Sequence, residues 1–186
     1  DFSSGMPIAA HCSTCGKVLW ATSETGLADS TNDLAQIGEV LTFRISSRLP
    51  ETTIPNLVIT DHLPEGLAYV VGSGRVVTNE FDGTLGTLDI TPTNPPLGGS
   101  GEDIVFTFTG DTTVTADNEP TNNIIHILLD AVVLDTPFNV GLMPQTVLTN
   151  YSSITYTSNP EPPIVSSNVT VTLIEPDVEI FKTVSP

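Results

Sequence analysis

The sequence predicts an all-β protein, an antiparallel sandwich of two sheets, and three observations support this prediction. Apolar and polar residues alternate in many short stretches, of which EVLTFRISSR at 39–48 is the clearest. Turn-forming Gly, Pro, Asn and Asp separate these stretches. No stretch has the apolar periodicity of an amphipathic helix of three turns. Eight to ten strands at this spacing are typical of a sandwich.

The first half of the chain contains a strand, a corner and another strand at its centre. LVIT at 57–60 ends a predicted strand 53–61, and DHLPEG at 61–66 forms the corner. The alternation resumes afterwards with Leu67, Tyr69 and Val71. The other strands expected in this half are 17–24, 39–48 and 75–79.

The second half begins with a Gly- and Pro-rich segment, 82–102, for which we expect a long loop or a set of tight turns. The run NNIIHILLDAVVLD at 122–135 is rich in Ile, Leu and Val, which favours a strand over a helix. The remaining predicted strands are 103–110, 147–157, 165–175 and 178–184.

Composition excludes several classes of protein. The 22 acidic residues against 5 basic ones give a formal charge of −17, so a nucleic-acid partner is not expected. A hydrophobic content of 39% is enough to build a core, unlike that of a disordered acidic tail. No apolar run is long enough to span a membrane. A strongly negative surface attracts divalent cations instead.

Both cysteines lie near the N-terminus, in the motif C-x-x-C. Cys12 and Cys15 follow His11, and three interpretations stay open: a disulfide across a short loop, half of a zinc site, or a redox pair. A zinc site needs further ligands, and no other cysteine exists, so a disulfide or a pair of inert thiols is favoured.

Three stretches resemble a known family. EVLTFRI at 39–45, VITDHLPEGLAYV at 58–70, and LTNYSSITYTSN at 148–159 followed by SSNVTVTLIEPDVEIFKTVSP at 166–186 are similar to the repeat domain of bacterial and archaeal surface proteins called domain of unknown function eleven. The resemblance implies an immunoglobulin-like sandwich at 18–176, after an N-terminal segment 1–17. Residues 177–186 would then begin a following repeat.

The resemblance extends to fimbrial domains that form a Lys–Asn isopeptide bond, and it implies three partners. Asp61 matches the acid and Asn150 the acceptor. Aligning 18–23 with 180–185 puts Trp20 opposite Lys182, so the repeat is expected to lack its lysine, and Lys17 is expected to face the other side of its strand. We therefore expect Asp61 to cap a turn and Asn150 to bond the backbone.

Acidic loops supply the candidate metal ligands. Asp111, Asp117 and Glu119 lie in GDTTVTADNEPTNN at 110–123, and their oxygens suit calcium, although the spacing is not that of an EF-hand. No Gly-x-Ser-x-Gly motif is present, His126 lies in an apolar run, and His62 is expected in a turn. We therefore expect no enzyme.

These observations favour a structural repeat of an extracellular adhesin, sheath or surface layer, a mechanical spacer whose partners are neighbouring repeats or copies of itself. The alternative is a filament subunit that donates a terminal strand to the next copy. The N-terminal residues 1–16 are one candidate for that strand, and 178–184 is the other, with its alternating residues Val178, Ile180, Lys182 and Val184. Carbohydrate binding is a third class, disfavoured because aromatic residues make up only 6% of the chain.

Overall fold

The computed structural model describes residues 14–23, 33–92, 100–141, 144–157 and 163–174. They form thirteen strands and one turn of 3₁₀-helix at Pro120–Asn122. The strands are β1 Thr14–Thr22, β2 Leu34–Ala35, β3 Val40–Arg48, β4 Thr53–Glu65, β5 Leu67–Tyr69, β6 Arg75–Phe81, β7 Gly83–Thr84, β8 Thr87–Thr91, β9 Ser100–Val114, β10 Asn123–Val133, β11 Val147–Thr155, β12 Ile164–Val165 and β13 Val169–Leu173.

The strands form two sheets, and the immunoglobulin-like sandwich is confirmed. The first sheet has the order β1-β3-β10-β5, with β6 also paired to β10. The second has the order β2-β13-β11-β4-β9-β7, with β12 on β11 and β8 on β9. The described pairs are antiparallel except β13 with β2. The apolar sides of both sheets pack into one core.

Alternation along the long strands explains this core. Every second residue of β3 and β10 is buried, in agreement with the patterns at 39–48 and 122–135. Phe43 in β3 and Phe106 and Phe108 in β9 are among the largest buried side chains. Burying a side chain of this kind stabilises a fold by about 1.5–3 kcal/mol.

The corner expected at 61–66 is wrong, because β4 continues through it to Glu65. Pro64 is tolerated there since β11 pairs with β4 only as far as His62, so the missing N–H of Pro64 costs no ladder bond on that side. The turn is Gly66 alone, with φ of +94°. The chain then crosses to the first sheet, where β5 pairs with β10.

The long loop expected at 82–102 is wrong as well, since β7, β8 and the start of β9 lie within it. Leu88 and Ile90 alternate with polar residues along β8, which pairs with β9. A Cβ on Gly83 would lie 2.0 Å from the Thr113 carbonyl oxygen, and one on Gly86 would lie 2.6 Å from that of Thr109. These glycines permit a close approach to β9 rather than marking a loop.

Candidate crosslinking site

A carboxylic acid lies in the middle of the core. Asp61 belongs to β4, where alternate residues are buried, and its own exposure is 0%. Its register partners are Ser152 on β11 and Ile104 on β9, so ladders flank it on both sides. The expectation that Asp61 caps a turn is therefore wrong, because β4 does not end at this residue.

Lys17 reaches this acid from the opposite sheet. It lies on β1 opposite Ile45, and its exposure is 3%. Its Nζ donates a hydrogen bond to Asp61 Oδ2 and lies 3.4 Å from the carbonyl oxygen of Tyr151. The same Nζ is 5.0 Å from the centroid of the Phe43 ring. The lysine thus bridges the two sheets inside an apolar environment.

The orientation expected for Lys17 is wrong. In β1 the side chains of Cys15, Lys17 and Leu19 share the inner side, whereas Val18 is exposed. The alignment of 18–23 with 180–185 placed Trp20, not Lys17, at the lysine position. Trp20 is 55% exposed and lies at an irregularity in the pairing of β1 with β3. A one-residue irregularity reverses which residues face the core, and the sequence does not reveal its position.

Asn150 completes the cluster from β11. Its exposure is 1%, and neither its Oδ1 nor its Nδ2 has a partner at full hydrogen-bonding geometry. The side chain is nevertheless close enough to Asp61 to lower the pKa of that acid as a hydrogen-bond donor. Among the described residues the Asn150 side chain makes no backbone hydrogen bond, so that expectation is wrong. A buried amide without partners costs about 1–3 kcal/mol, so its place beside Asp61 calls for a functional reason.

Burial drives both ionisable groups toward their neutral forms. It lowers the pKa of Lys17 from 10.5 to about 8, and the charge and hydrogen bond of Asp61 oppose this shift only in part. Burial likewise raises the pKa of Asp61, against the effects of Lys17 and Asn150. A neutral amine is a nucleophile, and a protonated carboxylic acid can polarise an amide.

The second histidine of the chain lies beside this cluster on the opposite side of the sheet. His62 is in β4 rather than in a turn, and its Nδ1 lies 2.7 Å from Asp103 Oδ1. Its Nε2 lies 2.9 Å from Ser153 Oγ, and its ring stacks on Tyr151 at 4.5 Å. This row lies on the outer side of the second sheet.

The calcium ligands expected in the acidic loop are engaged otherwise. Asp117 accepts hydrogen bonds from Asn122 Nδ2 and from the Glu119 backbone, and Glu119 accepts one from the Thr121 hydroxyl. Asp111 lies on β9 opposite Pro55. Within the described ranges no three His, Cys, Asp or Glu residues gather as metal ligands. Calcium stays a prediction.

Several expected residues lie outside the described part of the chain, namely Cys12, Val178, Ile180, Lys182 and Val184. The disulfide and the strand donation therefore stay predictions. Cys15 Sγ is 3.8 Å from Ser47 Oγ and 3.9 Å from Ser152 Oγ, next to the crosslinking cluster. No described helix has the length and apolar character needed to cross a membrane.

Sequence reasoning did not foresee two further parts of the site, the Phe43 ring against the amine and the Tyr151 carbonyl oxygen. The inward alternation of β3 marks Phe43 as a core residue, but only the packing of the sheets brings it to Lys17. The acceptor at Tyr151 is a backbone atom and leaves no signal in the side-chain pattern.

Comparison with known proteins agrees with the fold. No protein-family model matches the chain, and no curated protein sequence matches it, so the resemblance to domain of unknown function eleven is not confirmed. Solved structures do match. The T6 backbone pilin of Streptococcus pyogenes has 15% identity over 87% of this chain and 36% of the pilin, with a TM-score of 0.51.

Two further structures match with slightly lower scores. The major pilin BcpA of Bacillus cereus has 15% identity over 86% of this chain and 40% of its own, with a TM-score of 0.49. The N-terminal domain of the Streptococcus gordonii adhesin Sgo0707 has 11% identity over 86% and 32%, with a TM-score of 0.49. The chain thus spans at most about two fifths of these proteins. What the match to the T6 pilin shows is the fold: this chain shares its two-sheet architecture with a pilin.

Proposed function

We propose that the chain is a structural module of an extracellular surface protein or filament, stabilised by an amide bond between Lys17 and Asn150. The observation that carries this proposal is the buried Lys17–Asp61–Asn150 cluster, which joins β1 of one sheet to β4 and β11 of the other. The pilin architecture supports the extracellular setting. Its partners would be neighbouring modules or further copies of itself, and it turns over no external substrate.

The proposed step is the attack of the Lys17 amine on the Asn150 side-chain amide. A pKa of about 8 leaves about a tenth of Lys17 neutral at pH 7, against fewer than about one in a thousand for an ordinary lysine. During the attack a protonated Asp61 carboxylic acid would donate a hydrogen bond to Asn150 Oδ1, which would make Cγ more electrophilic. Holding the reactants together supplies much of the rate, as in other intramolecular reactions.

Atoms and charges balance within the cluster. The Nζ–Cγ bond forms, and a proton from Nζ passes through the Asp61 carboxyl group to Nδ2. The Cγ–Nδ2 bond then breaks and ammonia leaves, which restores Asp61.

The bond would suit a module that transmits force. Lys17 lies in the first described strand and Asn150 near the end of the sandwich, so the amide would enclose most of the chain. Pulling on the two ends would then load the segments outside the bond, while the core strands stay folded. A hydrogen-bonded sandwich without the bond would unfold through its full length.

Intact mass measured on the purified protein tests the proposal. We expect the mass to be lower than that of the sequence by one ammonia, and proteolysis to release a branched peptide joining Lys17 to Asn150. Asp61→Ala should restore the full mass, because the acid is gone. Asp103→Ala, which removes an exposed acid of the same sheet, should keep the loss of ammonia. A full mass in the wild-type protein after prolonged incubation at pH 8 would exclude the bond.

A further inference from the structure

A cavity opens on the outer side of the first sheet, the side that faces away from the crosslinking cluster in the core. Its volume is about 280 Å³, and it crosses β1, β3, β10 and β6. The outer side of a sheet in contact with water is usually a polar surface without such a depression. The residues used below are Trp20, Arg44, Asn79, Glu80, His126 and Leu128.

Two β-bulges build the walls of this cavity. In β1, Leu19 pairs with Phe43 and Ala21 with Thr42, so Trp20 is the extra residue. In β6, Glu80 pairs with Ile124 and Val77 with His126 of β10. Two residues of β6, one of which is Asn79, therefore lie opposite one residue of β10. Bulges re-aim side chains and are common beside functional sites. The two bulges lie in β1 and β6, the strands at opposite edges of this sheet, and they flank the same cavity. This arrangement points to a binding site.

The side chains around the cavity are held in place. The Arg44 guanidinium carbon lies 3.8 Å from the centroid of the Trp20 ring, a cation–π contact. His126 Nδ1 lies 2.8 Å from Ser46 Oγ, and its Nε2 lies 3.3 Å from Glu80 Oε2. These contacts fix the groups before a ligand arrives, which lowers the entropic cost of binding.

We propose that this cavity binds one neutral sugar ring of a glycan. Arg44 covers one face of the Trp20 indole, and the side chain is 55% exposed, so the other face offers a flat apolar surface for the C–H face of a pyranose. Asn79, Glu80 and Arg44 surround it with the planar donors and acceptors that hydroxyl groups require. Arg44 and Glu80 offset each other, and the net charge of −17 repels acidic sugars, so the preferred ligand is uncharged.

Fluorescence tests this proposal directly, because Trp20 is the only tryptophan of the chain. The probes are maltohexaose, mannohexaose and xylohexaose, with hexagalacturonate as the acidic counterpart. We expect at least one neutral oligosaccharide to change the emission of Trp20 in a saturable manner that 0.5 M NaCl does not abolish. Response to hexagalacturonate alone, or to none of the probes at 10 mM, would overturn the proposal.

Variants assign the response to the cavity. Asn79→Ala and Glu80→Gln should each weaken binding by about tenfold, the loss expected for one good polar contact. Trp20→Ala, followed by calorimetry, should abolish binding. Tyr151→Ala removes an exposed aromatic residue of the other sheet and should leave the affinity unchanged. If the Asn79, Glu80 and Trp20 variants bound the oligosaccharide with the affinity of the wild-type protein, the site would be overturned. A fluorescence change that depends on protein concentration and not on the oligosaccharide would overturn it as well.

Discussion

Asp61 and His62 are adjacent in the sequence but belong to two different chemical environments. Asp61 faces the core, where Lys17 and Asn150 are its neighbours and water is excluded. His62 faces outward, where it contacts Asp103 and Ser153 at ordinary hydrogen-bond distances. Each row contains a base, a carboxyl group and a polar partner from three strands, but Lys17 of the buried row comes from the opposite sheet. In the buried row, burial lowers the pKa of the base Lys17 and raises the pKa of the acid Asp61.

The difference shows that burial decides whether the neutral forms of an acid and a base become accessible. The His62–Asp103 pair is exposed by 23% and 61% on its two side chains, so water screens it. The Lys17–Asp61 pair is fully buried, so its charged state is costly and its neutral state becomes accessible. The alternation of β4 places the two rows on opposite sides of a single strand.

The largest expected effect comes from removing the electrophile of the buried row. Asn150→Ala should restore the mass of one ammonia and lower the free energy of unfolding by about 4–5 kcal/mol, the value expected for a crosslink that closes a loop of more than about 100 residues. Guanidinium unfolding measures this. Asn123→Ala, another buried asparagine, should cost only about 1 kcal/mol for its hydrogen bond to Glu51 and should keep the loss of ammonia. Equal stability of the two variants would contradict the crosslink.

The next effect is a pH dependence that the crosslink should suppress. In Asn150→Ala the Lys17 amine remains, with a folded-state pKa near 8 against 10.5 when unfolded. The Lys17 amine binds more protons in the unfolded state between these values, so its own contribution should make the free energy of unfolding rise with pH across this window, by up to about 3 kcal/mol. A proton that the folded state keeps on Asp61 opposes this rise, so the Lys17 contribution is the difference from a variant that lacks the amine. Urea unfolding between pH 7.5 and 10.5 measures the rise.

Two comparisons sharpen this second prediction. The crosslinked wild-type protein should lack the rise, because an amide nitrogen does not titrate in this range. The double variant Lys17→Met with Asn150→Ala has no amine at this position and should lack it as well. If the Asn150→Ala protein and the double variant had parallel curves, Lys17 would not be a buried, depressed base.

The smallest effect is expected on the outer row. Asp103→Asn should change the free energy of unfolding by less than about 1 kcal/mol, because exposed ion pairs contribute little. The change should shrink further in 1 M NaCl, where the Debye length is about 3 Å. Chemical unfolding at two salt concentrations measures it. A loss above about 2 kcal/mol would mean that this row, too, is effectively buried.

Much of the fold could be predicted from the sequence, because alternation is a local property. The strands at 39–48 and 122–135 agree with β3 and β10, and the sandwich follows from their number. Gly83 and Gly86 were interpreted as loop residues, and this was wrong. Glycine is common in loops, but it also allows two strands to approach closely, as it does here. Pro64 was interpreted as the end of its strand, and this was wrong as well. A proline costs no hydrogen bond on the side where strand pairing has already ended.

The site was predicted in part. The resemblance identifies Asp61 and Asn150 as acid and acceptor, but the turn expected for Asp61 and the backbone hydrogen bond expected for Asn150 were wrong. Lys17 was identified and assigned to the wrong side of its strand, because the irregularity at Trp20 cannot be seen in the sequence. The cavity beside Trp20 had no signal at all, since it depends on bulges in two strands distant in the chain.

By itself the sequence determined the β architecture and the negative charge, because periodicity is a local property and composition needs no fold. The resemblance also identified an acid and an amide that could react. Only the tertiary structure decided which lysine contacts the acid and the amide, and that all three side chains are buried from water. Contacts between β1, β4 and β11 join residues that are far apart along the chain. The pKa values of Lys17 and Asp61 depend on that burial, which is a property of the packed sheets.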